Sequence, residues 1–500
     1  MESKISYTGG SAERKYLLAT LIAVAAALGV WLAAAGSYAN PWDHNEGVYL
    51  NSARLVLRGH ALFGEVFSSQ PPLFVSSLAA SLHLLGDRPE SARIFMALVA
   101  VAGLAAMAFL SWNIFGAGAA PWTVVAAATS YLFSRGGHFA EADLPAAALA
   151  LISMSAAMVA ARRHSMLWAA VAGIIYAGAI MTKVLVVPWL LAALLLLLPA
   201  AAGHGGPWWS GFAARLVAFA AGLAIGLVAV LLAFGAHDVI SQAFLFHFSK
   251  RGSTSPSSPL TANLAMMAQY FGRDIGVAVL AALGIAHLAA KKTFGALWLA
   301  ALMGASFAFG LYHTPLSPNH LIPITCGAAF AAGVGAAVIV ALLRRAIAPI
   351  LAAFAVLLMS QISVDAGVPG VGLPGGMKIT LSMLRNNSKF LHVDLREEDL
   401  RIMRYLRSHT EEDELVVSDG HKAVYWAGRA SPPFLCDLTR ERIESGWLTD
   451  EDLIRHSSGV NVVVIQTGQL DRFPRFKEWL VANYDAVAQA SSSARIYRRR

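Results

Sequence analysis

The sequence predicts an α-helical polytopic membrane protein that ends in a small C-terminal α/β domain. Of its 500 residues 57% are hydrophobic, and the mean hydropathy is +0.58. The apolar residues form long runs, and a run of about 20 such residues spans the ~30 Å hydrocarbon core of a bilayer. Beyond residue 365 the runs stop, and short strand-like and helix-like segments alternate, which is typical of α/β domains.

Hydropathy predicts about eleven transmembrane helices. They lie near residues 16–37, 93–115, 119–135, 143–161, 166–182, 184–200, 212–234, 275–290, 294–311, 320–342 and 347–363. The first is predicted to be a retained helix, because it is longer than the apolar core of a typical signal peptide. Segment 72–86 is apolar but short, so we expect an interfacial helix there; a twelfth span is the alternative.

Basic residues predict the orientation, since cytoplasmic loops of membrane proteins are enriched in Lys and Arg. An inside N-terminus collects most loop charges on one face: Lys4, Arg14, Lys15, Arg162, Arg163, Arg215, Lys291, Lys292, Arg344 and Arg345. The opposite, outer face then receives the first loop (residues 38–92) and the C-terminal domain. In a bacterial cell this predicts a multi-pass inner-membrane protein whose C-terminal domain is extracytoplasmic.

Three parts follow along the chain. Residues 1–365 form the membrane module, with interfacial helices in the first loop. Residues 366–394 form a Pro- and Gly-containing linker, and residues 395–500 form the soluble α/β domain. In that domain "REEDLRIMRYLRSH" and "RFKEWLVANY" are predicted helices, while "ELVVSD", "AVYWAG" and "VNVVVIQTG" are predicted strands.

Composition also excludes some classes of function. The net charge of +8 comes from basic residues scattered between apolar runs, which is the pattern of loop charges and not of a nucleic-acid surface. Only two cysteines are present, one in an apolar run and one in the polar tail, so neither a disulfide framework nor a Cys-based metal site is predicted.

Ionisable residues near membrane level are costly and therefore candidates for function. On the predicted outer face acids and bases meet at the ends of several helices, an arrangement that suits an anionic, lipid-borne substrate. The candidates are Asp43, Glu46, Glu141, Asp143, Lys183, Lys250, Arg251, Arg273, His313 and His320.

Structural roles compete with these functional ones. Asp43 has the residue type of a helix N-cap, and Lys183 has a side chain long enough to snorkel to the interface. His313 and His320 could instead be ordinary loop residues whose rings form hydrogen bonds with the loop. We expect Arg54 and Arg58, four residues apart, to face lipid headgroups.

The first loop contains "NEGVYLNSARLVLRGHALFGEVFSSQPPLF". It is followed by "ESARIF", "FAEADLPAA", "MTKVLVVP" and "SPNHLIPI", each at the start or end of a predicted span. In this order the motifs resemble those of the polytopic GT-C glycosyltransferases, in particular the bacterial members related to protein O-mannosyltransferases and to the lipid A aminoarabinose transferase. The resemblance covers about the first 365 residues.

The resemblance implies sugar transfer from a polyprenyl-phosphate donor to an acceptor on the outer face. The acidic motif of the first loop would supply a general base, and a single displacement with one base implies inversion. Glu46 matches this motif, but Asn45 stands where the family has an aspartate, so the base is either Glu46 or Asp43. The donor phosphate would contact Lys183, Lys250, Arg251 and Arg273, and the acceptor or supporting groups would be Glu141, Asp143, His313 and His320.

The sequence leaves the sugar open, and the acceptor is a lipid, a glycan or a protein. A divalent metal ion is compatible with the carboxylates, but their spacing does not require one, and no other cofactor or nucleic-acid partner is implied. The alternative function is a transporter or lipid flippase, whose charges usually lie near the membrane midplane and often in repeats. The charges here lie at predicted helix ends, which favours the enzyme.

Overall fold

A computed structural model describes residues 10–34, 44–198, 208–247, 259–314, 316–342 and 397–500. Its membrane part is built almost entirely of helices. These are α1 (Gly10–Ala34), α2 (His44–Leu57), α3 (Pro72–Leu85), α4 (Pro89–Phe115), α5 (Ala120–Thr129), α6 (Tyr131–Gly136), α7 (Asp143–Arg163), α8 (Met166–Ile180), α9 (Leu190–Leu195), α10 (Trp208–Phe234), α11 (Ala236–Val239), α12 (Pro259–Arg273), α13 (Ile275–Lys291), α14 (Phe294–Tyr312) and α15 (Ile322–Leu342).

Within the described residues every predicted span up to residue 342 lies mostly on helix, but not always on one long helix. In the described part of the chain six helices are long and apolar enough to cross a membrane, or up to seven if the pair α12 and α13, bent by 100°, counts as one span. The segments predicted at 119–135 and 184–200 are broken into shorter pieces. The last predicted span, at 347–363, and the predicted linker lie outside the described residues.

Close packing between spans depends on glycine at a few positions. A Cβ atom on Gly173 of α8 would lie 2.0 Å from the carbonyl oxygen of Phe219 in α10, and one on Gly284 of α13 would lie 1.9 Å from that of Ala331 in α15. Small residues let helix backbones approach in lipid, where apolar side chains alone provide no drive to associate. These pairs of helices are therefore in backbone contact.

The first loop folds into the two helices α2 and α3. The second begins at Pro72, directly after Pro71, because proline needs no hydrogen-bond partner for a backbone N–H in the first turn. It ends at Leu85 before Gly86, whose φ of 96° favours glycine. As predicted, this apolar segment is a separate short helix and not a full span.

The C-terminal domain is a small α/β unit. Its helices are α16 (Glu397–His409), α17 (His421–Trp426), α18 (Arg440–Glu444), α19 (Asp450–Ser457) and α20 (Pro474–Asn483), and its strands are β1 (Val416–Ser418), β2 (Val462–Ile465), β3 (Tyr484–Gln489) and β4 (Arg495–Arg499). The sheet order is β1-β2-β4-β3, with β1 and β2 parallel and the other pairs antiparallel.

One predicted strand in this domain is wrong. The segment "AVYWAG" lies mostly in helix α17, every residue of which is buried. A short, fully buried apolar run has no polar face, so its periodicity does not separate strand from helix. The two C-terminal strands, β3 and β4, were not predicted, because their exposed and charged residues mask the strand pattern.

The C-terminal domain packs directly on the first loop. One core joins Leu50 and Phe74 of the loop helices to Met403 and Val424 of the domain. Arg54 belongs to this contact: it is buried, donates hydrogen bonds to the carbonyl oxygens of Tyr425 and Arg429, and pairs with Asp87 at 2.7 Å. The prediction that Arg54 faces lipid headgroups is therefore wrong, because the domain covers it.

Candidate functional site

A cleft opens where the first loop, the membrane helices and the C-terminal domain meet. Its volume, including the solvent-filled opening, is about 900 Å³. The lining residues are mostly polar and come from widely separated parts of the chain: Asn45, Val48, Tyr49, Ser52, Phe67, Ser68, Ser69, Gln70, Val75, Lys183, Phe246, His247, Ser317, His320, Asp437, Thr439 and Glu441. Of the residues predicted for the site, Lys183 and His320 are on this cleft.

Lys183 stands in an extended conformation between α8 and the 3₁₀ turn Val184–Trp189. Its ammonium Nζ lies 2.7 Å from Oδ2 of Asp143, in the first turn of α7. The side chain of Lys183 is 12% exposed and that of Asp143 only 2%, and of the two residues Lys183 is the one that lines the cleft. The other carboxylate oxygen of Asp143, Oδ1, is buried without a hydrogen-bond partner among the described residues.

Glu46 lies in the first turn of α2, but its carboxylate is turned away from the cleft. Arg93 of α4 donates from Nε to Oε1 at 3.0 Å and from Nη2 to Oε2 at 2.9 Å. Both side chains are fully buried, and the backbone N–H of Ala140 also faces Oε1, at 3.4 Å. In this arrangement the carboxylate is held by a buried guanidinium and does not meet a substrate in the cleft.

The negative charge of the buried Glu46 carboxylate is compensated by the positive charge of Arg93. Burial alone would raise the pKa of Glu46, but the charge and hydrogen bonds of Arg93 outweigh it, so the pKa lies below its ordinary value. His138 lies near the same pair, and burial, reinforced by the charge of Arg93, lowers its pKa to about 4. Glu46 is therefore ionised and His138 neutral near pH 7.

A π-helical turn, Ile240–Leu245, and the residues that follow it contact the first loop. Gln242 donates to the carbonyl oxygen of Phe63 at 2.7 Å and accepts from the backbone N–H of Ser68 at 3.2 Å. His247 Nε2 lies 2.8 Å from the carbonyl oxygen of Ser69. A single π-helical turn often marks a functional position, and here it shapes one wall of the cleft.

The two predicted histidines lie together but differ in their access to the cleft. Their ring centroids are 4.7 Å apart, and the ring of His313 stacks on Phe309. His320 accepts the backbone N–H of Ser317 at its Nδ1 and lines the cleft with that serine. His313 does not line it.

The remaining predicted residues lie elsewhere. Glu141 pairs with Arg135 at 3.1 Å, and the guanidinium of Arg273 lies over the rings of Tyr131 and Tyr270. Neither Glu141 nor Arg273 lines the cleft. Asp43, Lys250 and Arg251 lie outside the described residues.

Several residues on the cleft were missed from the sequence. Asp437, Thr439 and Glu441 belong to the C-terminal domain, and nothing in their local pattern suggests contact with a loop nearly 400 positions earlier. Arg93 gave a signal, an arginine in the first turns of an otherwise apolar helix, which indicates a buried charge that needs a partner. The described ranges contain no group of three or more His, Cys, Asp or Glu side chains placed to hold a metal ion.

Comparisons with known proteins agree with this architecture. Residues 69–234 match the family model described as dolichyl-phosphate-mannose-protein mannosyltransferase. The fold is similar to that of ArnT from Cupriavidus metallidurans bound to undecaprenyl phosphate, with a TM-score of 0.60 and 16% identity over 95% of this chain and 97% of that chain. The apo structure of the same ArnT gives a TM-score of 0.57 and 15% identity over the same shares. A comparison with curated proteins gave no match.

These findings confirm the resemblance and the fold class predicted from the sequence. The family match begins at Ser69 in the first loop and ends with Phe234 of α10, so it includes Arg93, Asp143 and Lys183. The structural similarity extends through the C-terminal domain. The chain has the GT-C fold of these membrane proteins, and residues 69–234 carry the pattern of the dolichyl-phosphate-mannose-protein mannosyltransferase family.

Proposed function

We propose that the chain is an integral-membrane glycosyltransferase that moves a sugar from a polyprenyl-phosphate donor to an acceptor, with inversion at the sugar carbon. The observation that carries the proposal is Lys183, a basic residue that lines a polar cleft beside the helices of the first loop. The fold supports it too, because the similar ArnT structure was solved with undecaprenyl phosphate bound. Donors already carried on a lipid phosphate need no nucleotide-binding fold.

In this proposal the ammonium of Lys183 stabilises the leaving phosphate as its charge develops. His247 and His320 provide further polar groups on the same cleft. Asp143 holds the ammonium in place through its 2.7 Å contact. The phosphate contacts predicted at Lys250 and Arg251 stay predictions, while Arg273 does not line the cleft.

The general base is proposed to be Asp43. Asn45, two positions after Asp43 in the sequence, is exposed and lines the cleft. Glu46 is assigned a positioning role instead, because both of its oxygens are held by Arg93. The acceptor hydroxyl or amine would lose its proton to Asp43 as it attacks the sugar carbon.

The outer face is proposed as the site of reaction, with the C-terminal domain extracytoplasmic, on the basis of the loop charges. The alternative of a transporter is less well supported, since the pairs Lys183–Asp143 and Arg93–Glu46 lie at helix ends beside the first loop and not at mid-span.

The test is release of labelled sugar from undecaprenyl-phosphate donors by the purified full-length protein in lipid vesicles, with a mixture of lipid, glycan and protein acceptors. Sugar transfer by the wild type supports the proposal. Binding of undecaprenyl phosphate with no turnover of any donor, together with movement of the lipid between leaflets, would instead support the flippase.

A further inference from the structure

We infer that the C-terminal domain completes the substrate cleft, and that Asp437 is a specificity residue that accepts hydrogen bonds from the hydroxyl groups of a sugar. This inference rests on the proposed function and deepens it. Asp437 lines the same cleft as Lys183 but belongs to the C-terminal domain, together with Thr439 and Glu441. The membrane wall of the cleft therefore carries a lysine, and the wall from the C-terminal domain carries two carboxylates.

The backbone at Asp437 is held rigidly. Its carbonyl oxygen accepts a hydrogen bond from Nη1 of Arg442 at 2.8 Å, and the neighbouring Leu438 N–H donates to Nε2 of His421 at 3.2 Å. The guanidinium of Arg442, fully buried, lies 3.8 Å from the ring centre of Phe67 in the first loop. A specificity residue needs this kind of support, since a carboxylate that moves freely discriminates poorly between substrates.

The carboxylate of Asp437 keeps hydrogen-bonding capacity. Oδ1 accepts the backbone N–H of Thr439 at 3.0 Å, and Oδ2 accepts the hydroxyl of Ser69 at 3.3 Å. A carboxylate has about four acceptor positions, so these two hydrogen bonds leave about half of them for a ligand. Hydroxyl groups of a sugar are suitable donors, and hydrogen bonds to a charged acceptor are stronger than neutral ones.

The different charges of the two walls indicate where the phosphate and the sugar of the donor bind. An anionic lipid phosphate is attracted to Lys183 and repelled by Asp437 and Glu441, so the phosphate belongs on the membrane side. The uncharged, hydroxyl-rich group then faces the C-terminal domain. It is either the sugar of the donor or a saccharide acceptor, and both present the same hydroxyl chemistry.

The experiment compares wild type with Asp437→Asn in the full-length protein in lipid nanodiscs. Three probes are used: undecaprenyl phosphate, undecaprenyl phosphate carrying mannose, glucose or galactose, and soluble oligosaccharides added in the presence of undecaprenyl phosphate. Asp485→Asn is the matched control, because Asp485 is an exposed aspartate of the same domain that does not line the cleft. Glu441→Gln is a second variant on the carboxylate wall, for use if Asp437→Asn does not fold.

Asp437→Asn is expected to leave the affinity for undecaprenyl phosphate unchanged or slightly higher, since it removes a repelling charge. Binding of a sugar-bearing probe should weaken about tenfold or more, the usual effect of losing a hydrogen bond to a charged group. A loss limited to the glycosylated lipids identifies the donor sugar as the ligand, and a loss limited to the oligosaccharides identifies the acceptor. Equal affinities of wild type and variant for every probe would overturn the inference, as would an equal loss for all three.

The proposed function can fail separately. If the wild type binds neither undecaprenyl phosphate nor its glycosylated forms, the glycosyltransferase proposal is wrong, whatever Asp437 does. If the wild type transfers sugar and Asp437→Asn and Glu441→Gln do so with unchanged KM for donor and acceptor, only the inference about the C-terminal domain is wrong.

Discussion

The guanidinium of Arg93 donates hydrogen bonds to both carboxylate oxygens of Glu46, at 2.9–3.0 Å, and neither side chain is exposed. The pair joins α2 of the first loop to α4, and the Arg93 guanidinium also lies 5.3 Å from the ring centre of Trp426 in the C-terminal domain. Three parts of the molecule therefore meet at one ion pair. Removing one partner of such a pair leaves a buried charge without compensation, which is strongly destabilising.

Glu46→Gln is accordingly expected to lower the free energy of unfolding by about 3–5 kcal/mol. Thermal unfolding in detergent checks this, with Glu65→Gln, a change at an exposed acid of the same loop, as the control. Loss of turnover in Glu46→Gln at an unchanged melting temperature would instead identify Glu46 as the general base.

Asp43→Asn is expected to reduce turnover by roughly 10²–10⁴, the usual contribution of a general base. Its affinity for undecaprenyl phosphate should stay at the wild-type level, because the phosphate is proposed to contact Lys183. The measurement is kcat with a glycosylated donor, beside the Kd for the bare lipid phosphate. Full turnover in this variant would remove Asp43 as the base.

Lys183→Met is expected to weaken binding of undecaprenyl phosphate by about 10- to 100-fold, the effect of losing a charged hydrogen bond. It should also lower stability, since Asp143 would be left buried and unpaired. The double variant Lys183→Met with Asp143→Asn separates these effects: stability should rise above that of the single variant, while binding stays weak.

The control for this experiment is Lys291→Met, a change at the last residue of α13 and away from the cleft. Wild-type affinity in the double variant would mean that Lys183 serves only as the structural partner of Asp143.

Stability should fall on acidification because of His138. Its folded pKa of about 4 lies below the ordinary value of about 6.5. Between these values the unfolded chain binds a proton that the folded chain does not, so stability is full above about pH 6.5 and declines down to about pH 4, by up to about 3 kcal/mol. Melting temperatures from pH 4 to 7 should show this slope in the wild type and a flatter one in His138→Gln; parallel slopes would contradict the prediction.

Gly47→Ala tests how tightly the C-terminal domain sits on the first loop. A Cβ atom at Gly47 would lie 2.5 Å from the backbone nitrogen of Lys422, and backbone cannot move aside as a side chain can. We expect a loss of about 1–3 kcal/mol, as in other overpacked sites, and faster proteolysis of the C-terminal domain.

Gly304→Ala is the matched control for Gly47→Ala, since nothing lies within 4 Å of its added Cβ. If the two variants melt and are digested alike, the contact between Gly47 and Lys422 is not kept in solution.

The sequence predicted the fold class and the positions of the apolar helices, because hydropathy reports directly on burial in lipid. It did not predict that the segments at 119–135 and 184–200 are broken into shorter helices. It also pointed to Lys183, a single charge in an apolar stretch whose cost implies a role. The part of the cleft lined by Asp437 could not be predicted from the sequence. Ser69 and Asp437 are in contact although they lie 368 positions apart, and no local sequence pattern indicates such a contact. The partner of Glu46 was missed for the same reason: hydropathy marks Arg93 as unusual but does not say which acid it meets.

The shared core of the first loop and the C-terminal domain has a consequence for the order of assembly. Asn51 donates from Nδ2 to the hydroxyl of Ser431, 380 positions later in the chain. During synthesis the loop is made early and its apolar face has no cover until the last hundred residues emerge. Contacts of such long sequence separation form late and slowly, and an uncovered apolar surface favours aggregation meanwhile. A chain that stops before residue 397 therefore leaves this surface permanently bare, which makes the truncated protein a natural target for quality-control proteases.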